Sequence, residues 1–150
     1  MFRLVDHTAD LAIEAQAATR EAVLEEAALG LTAVLTGKPY PHEIARLGRP
    51  DREVSFRVDA PDEAALVVAF LSELLWLHES EDLLWLGGGV EITTLPDGSL
   101  RLGAHGNAVV HDPVRHGRGV EVKAVTYHGL RFGRETGAGA GWGLWVLLDI

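Results

Sequence analysis

Residues 137–150 read Gly137-Ala-Gly-Ala-Gly-Trp-Gly-Leu-Trp-Val-Leu-Leu-Asp-Ile150, a glycine-rich run that flows into an apolar stretch. A dinucleotide-binding loop must feed a helix whose N-terminus holds the pyrophosphate, inside a strand-helix-strand unit. Only seven residues follow Gly143, and they read as a strand. The glycines therefore predict a flexible hairpin connection and not a dinucleotide-binding loop. The chain stops on Asp149 and Ile150 without a polar tail, so its α-carboxylate is expected to be held in place. Two carboxylates pinned side by side repel unless a cation, a base or a shared proton offsets the charge. Asp149 and Ile150 are thus a candidate site as well as the end of a strand.

Working back toward the N-terminus, strands are expected near 130–134, 119–128, 100–110, 90–95 and 83–86, with a turn at Pro96-Asp-Gly-Ser99. Leu66, Val67, Phe70, Leu71, Leu74, Leu75 and Trp76 predict a helix that is apolar around much of its girth and lies deep. Asp59 is its expected cap, with Pro61 in the first turn. Val54, Phe56 and Val58 alternate with polar neighbours as a half-buried strand. A loop spans 37–52. Before it, Leu24, Ala27, Ala28, Leu31, Val34 and Leu35 recur with helical period, from a cap at Thr19 to a stop at Gly37 and Pro39. Phe2 to Val5 and Leu11 to Ala15 are strands around the polar turn Asp6-His-Thr-Ala-Asp10. The order β-β-α-β-α-β-β-β-β predicts an α+β fold, two helices packed on one mainly antiparallel or mixed sheet, in a single domain over 1–150.

The composition bounds the function. At 150 residues, 47% apolar and 23% charged, the chain is an ordinary globular domain with room for a sizeable core. It holds no cysteine, which excludes disulfides, thiolate zinc sites and a cysteine nucleophile. No signal peptide or membrane span is apparent, so a cytoplasmic protein without membrane contact is expected. Thirteen basic against twenty-two acidic side chains give a net charge of -9. A protein that grips nucleic acid unaided carries a basic footprint, and here only Arg115-His-Gly-Arg118 and Arg131-Phe-Gly-Arg134 are locally basic. Any RNA in its biology is expected to be held by a partner.

Three segments offer chemistry. Asp6-His7-Thr8-Ala9-Asp10 reads first as a turn whose side chains cap backbone amides. It reads second as a rim on which Asp10 faces a cation. With Asp149 and the Ile150 carboxylate, Asp10 makes three hard oxygen donors, which suit Mg²⁺ or Ca²⁺ better than zinc. In Val122-Lys-Ala-Val-Thr-Tyr-His128 the strand alternation puts Lys123, Val125 and Tyr127 on one side and Ala124, Thr126 and His128 on the other. The plain reading is an amphipathic strand. The functional one brings the Lys123 ammonium near the acidic cluster, to offset its charge or meet a phosphate as a point charge. His7 and His128 neighbour these motifs. The remaining histidines, His105, His111 and His116 among them, fall at irregular spacings without a His-x-x-x-His pair, so no histidine zinc centre is expected.

Taken together, His7-Thr-Ala-Asp10, Lys123-Ala-Val-Thr-Tyr-His128 and the terminal Leu147-Leu-Asp-Ile150 resemble the archease family, in order and spacing, over essentially the whole chain. The helix after the first motif and the apolar helix ending in Leu74-Leu75-Trp76 fit the same layout. The resemblance implies a small cytosolic protein that assists an RtcB-type RNA ligase in tRNA splicing and RNA repair. That ligase uses GTP and a metal, usually Mn²⁺, to guanylylate its own histidine. It then joins a 2′,3′-cyclic phosphate or 3′-phosphate end to a 5′-hydroxyl. The family promotes guanylylation and multiple turnover and is not itself the enzyme. The resemblance carries metal binding onto Asp10, Asp149 and Ile150, with Ca, Mg or Mn as the cation, and places the family's lysine at Lys123. The loop from Gly103 to Gly119 looks longer and richer in His and Arg than in the family, so partner contacts do not transfer through it.

Two other classes compete. One is a metal-dependent phosphoester hydrolase with His7 or His128 as general base. The other is a general chaperone-like binding module. Metal-dependent turnover of phosphoesters by the pure protein distinguishes the first. Salt-sensitive RNA binding without a partner favours an RNA-associated form of the second.

Overall fold

The computed structural model describes the whole chain except Thr8, Ala9 and Ala138, and for Asp6 and His7 it describes the backbone only. The elements are β1 (Phe2–His7), β2 (Asp10–Ala17), α1 (Arg20–Thr36), α2 (Pro41–Ile44), β3 (Arg52–Ala60), α3 (Glu63–Glu81), β4 (Leu83–Thr94), β5 (Leu100–Val110), α4 (Pro113–His116), β6 (Ala124–Arg134) and β7 (Trp142–Asp149). The class is α+β, as the element order predicts. The strands form two antiparallel sheets where one was expected, in the orders β1-β2-β7-β6 and β3-β5-β4.

Both long helices touch both sheets, α1 through β2 and β4, α3 through β6 and β3. A single apolar cluster results, drawing on Ile13, Val146 and Leu148 from one sheet and Leu84 and Leu102 from the other. The caps follow local chemistry. Thr19 accepts from the Ala22 amide at 3.1 Å and starts α1. Gly37, at φ 71°, ends it in the left-handed conformation that glycine adopts without a Cβ penalty. Gly30 lets α1 approach β2 closely, because a Cβ there would lie 2.8 Å from the Ile13 side chain. For α3 the cap is Asp62, which accepts from the Ala65 amide at 2.8 Å. Asp59 is drawn away from that role. It lies in β3 opposite Arg101 and takes a two-pronged bond from its guanidinium, at 2.8 and 3.0 Å.

Two expected strand breaks fall inside single strands. The glycines after Leu86 leave β4 whole and shift its register between Trp85 and Gly87. β6 runs through 130 and carries its own irregularity between Thr126 and Arg131. Residues 119–123, expected as strand, lie before β6. There the Gly119 and Val120 amides donate to Leu35 and Val34 carbonyls at the end of α1, at 2.9 and 3.2 Å. Satisfying those helix-end carbonyls takes this stretch away from the sheet ladder. Among the described residues no helix is long and apolar enough to cross a membrane.

Candidate functional site

The end of the four-stranded sheet is set by a buried neighbour. Leu148 is fully buried and pairs across the ladder with Leu11 on one side and Val125 on the other, both packed on the core. Successive residues in a strand point to opposite faces. Leu148 pointing inward therefore turns Asp149 outward, and Asp149 is exposed. Its partner in β2 is Asp10, so the two aspartates stand directly opposite each other on the outer face. Directly opposed residues in an antiparallel pair have Cβ atoms about 5 Å apart, and like charges in that position destabilise the sheet.

β6 lies on the other side of β7. Ala124 pairs with Asp149, and the Lys123 amide donates to the Asp149 carbonyl at 2.7 Å. Asp10 in β2 and Lys123, immediately before β6, thus flank Asp149 on its two sides. The Lys123 side chain is exposed. Ile150 is half-buried and packs on the core. Among the described residues, neither aspartate has a cationic side chain within ion-pair distance. Nor do any three His, Cys, Asp or Glu groups form a ready-made metal cage. The side-chain donors available at this edge are the two opposed carboxylates, and the carboxylate expected at Ile150 is a main-chain group. Such an all-oxygen set fits a hard divalent cation and does not fit zinc held by sulfur and nitrogen.

The other expected residues are placed less closely. His7 is the register partner of Asp10, and its side chain lies outside the described residues, as do Thr8 and Ala9. His128 is exposed and belongs to the irregular stretch after Thr126. There its amide donates to the Thr126 hydroxyl at 3.3 Å, while that hydroxyl donates to the Leu147 carbonyl at 3.0 Å. The simple alternation through Thr126 and His128 ends at this point, because the bulge leaves Tyr127, His128 and Gly129 all exposed. In the irregular stretch, the Gly129 backbone packs against the Trp145 indole, where a Cβ would come within 3.0 Å of the ring.

The chain matches the model of the Archease protein family over residues 2–150. The chain belongs to the archease family. Its archease relatives include the protein of Methanosarcina mazei, 32% identical over 149 residues, covering 99% of this chain and 95% of that one. Another is the archease of Thermococcus gammatolerans, 38% identical over 128 residues, covering 84% and 83%. The solution structure of Methanobacterium thermoautotrophicum protein 1598 superposes with a TM-score of 0.71 at 27% identity, covering 99% of this chain and 98% of that one. The archease match runs through both ends of the pairing described above, from Asp10 to Asp149.

A second polar cluster escaped the reading of the sequence. His78, near the end of α3, lies tilted against His111, which follows β5, and His111 stacks beside His116 of α4. Irregular spacing hides this trio from a motif search. The hairpin register could have found it, since Leu83 pairs with Val110 and so brings the residues before 83 next to those after 110.

Proposed function

We propose that this chain is a non-catalytic protein cofactor of an RtcB-type RNA ligase, promoting the GTP- and metal-dependent guanylylation and multiple turnover of that enzyme in tRNA splicing and RNA repair. Membership of the archease family supports a helper role of this kind. The observation that carries the reading is the register pairing Asp10 with Asp149. Asp10, Asp149 and Ile150 are the proposed ligands of a divalent cation, Ca²⁺, Mg²⁺ or Mn²⁺. A cation held there would relieve the repulsion between the opposed carboxylates and present open positions to an oxygen of the partner. Lys123 lies on the far side of Asp149 and meets a phosphate or an acidic side chain of the ligase, with His7 and His128 as neighbouring contacts.

The aspartates, held on a rigid ladder, favour one docked geometry. A ligase conformation bound more tightly at this edge gains population in proportion to that difference in affinity. RNA is contacted through the ligase, in keeping with a net charge of -9. The test is single- and multiple-turnover ligation with the cognate ligase. Asp10→Ala and Asp149→Ala variants, shown to be folded, are expected to lose stimulation, and full stimulation by both would refute the site. A C-terminal extension, which turns the Ile150 carboxylate into an amide, separates that third ligand from the other two.

A further inference from the structure

A cavity of about 650 Å³ opens between the end of α3 and the segment after β5, with His78, Glu79, Asp82, His111, Arg118 and Glu121 among its lining residues. The hydrogen bonds of the three imidazoles fix which ring nitrogen carries the proton. His78 Nδ1 lies 3.2 Å from the Leu83 carbonyl, and His111 Nε2 lies 2.7 Å from the Gly117 carbonyl. A carbonyl only accepts, so in the neutral rings those nitrogens are the N–H donors. His78 Nε2 and His111 Nδ1 are left with free lone pairs. His116 is arranged the other way. Its Nδ1 accepts from the Asp112 amide at 3.0 Å, which uses its lone pair and puts the proton on the buried Nε2.

We propose that His78 and His111 form a binding site for a borderline divalent cation, Zn²⁺, distinct from the oxygen-donor edge at Asp10 and Asp149. Imidazole nitrogen selects zinc-like cations, where carboxylate oxygen selects hard ones. A ligating histidine donates its other N–H to a carbonyl or carboxylate, which orients the ring, and both rings already do so. Their centroids are 5.3 Å apart at an interplanar angle of 42°. A metal about 2.0 Å from two imidazole nitrogens at a tetrahedral angle sets the centroids roughly 5 Å apart. No three side chains form a finished cage among the described residues. The two rings are therefore the preset part. Rotation of exposed Glu79 or Asp82, which share the cavity, supplies a carboxylate, and water completes the sphere. His116 packs against His111 at 6.2 Å and holds its ring in place without ligating.

Calorimetric titration of the full chain with Zn²⁺ near pH 7.5, in excess Mg²⁺ to occupy the hard site, tests this. One equivalent is expected to bind, and His78→Gln and His111→Gln are each expected to weaken it at least about tenfold. His128→Gln and Asp149→Asn are expected to leave it within about twofold, since neither lies in the cavity. Binding that disappears with Asp149→Asn, survives both histidine changes, or is absent in the wild type overturns the proposal. Long-range ¹H–¹⁵N spectra of the unmutated chain give a check independent of mutant folding. Zinc must shift Nε2 of His78 and Nδ1 of His111, and shifts at the opposite nitrogens or at other histidines contradict the assignment.

Discussion

The acidic edge and the histidine cavity are built in opposite ways. At the edge, backbone ladders do the positioning. Asp10 and Asp149 are register partners, half-buried and exposed respectively, and the groups they present are carboxylate oxygens. In the cavity, side chains are held one by one through bonds to backbone groups, and the groups they present are nitrogens in a partly enclosed space. A ladder transmits position along the whole sheet, so the edge depends on the core beneath it. The cavity depends on a few local bonds and on the protonation of its rings. The two regions should therefore respond differently to loss of packing, to loss of charge and to acid.

The largest expected effect comes from the packing that supports the edge. Leu148→Ala removes a fully buried side chain from beneath it and should cost about 3 kcal/mol, read as a drop in the denaturant midpoint at unchanged m-value. Loss of ligase stimulation in that variant would follow from the loosened ladder. Deleting charge should separate function from stability. Asp149→Ala is expected to lower stimulation at least about tenfold, a difference of about 1.4 kcal/mol, with an unchanged or slightly higher melting temperature. A fall in stability as large as that of Leu148→Ala would mean that the aspartate is structural.

Acid should single out the cavity. Burial lowers the proton affinity of His78 and of His116 below that of a free imidazole, and repulsion from His111 acts in the same direction, as does Arg115 on His116. Groups whose folded pKa lies below the unfolded value stabilise the fold only while neutral. Their contribution is fully present above about pH 6.5, the ordinary imidazole value, and is lost as the pH falls below it. Urea midpoints measured from pH 7.5 down to 5.5 should decline in the wild type. The decline should be shallower in His116→Gln, whatever that variant's absolute stability, and an equal slope would remove His116 from the effect. The smallest change is expected at Thr126→Val, which deletes the hydroxyl bond to the Leu147 carbonyl and should cost about 1 kcal/mol.

The same contrast explains what could be read in the sequence. α1 was legible from its periodicity and from Thr19 and Gly37, because local caps and buried stripes are written in nearby residues. The terminal strand was legible from its apolar composition. Asp10 and Asp149 were drawn together by short motifs near the two ends, and the register makes them direct partners. The division into two sheets was not legible, since strand pairing is decided between residues far apart in the chain. The cap of α3 was misplaced by three residues because Arg101 competes for Asp59 from across the sheet. The histidine trio was missed because helix end, strand end and turn each contribute one ring.

Adding Mn²⁺ in small amounts to ¹⁵N-labelled protein, with and without the paired change Asp10→Asn and Asp149→Asn, tests whether the opposed aspartates hold the proposed cation. Paramagnetic broadening should centre on the amides of Asp10, Lys123, Ala124, Asp149 and Ile150 and should vanish in the doubly substituted chain. Broadening that centres elsewhere, or that persists without the two carboxylates, would contradict the account.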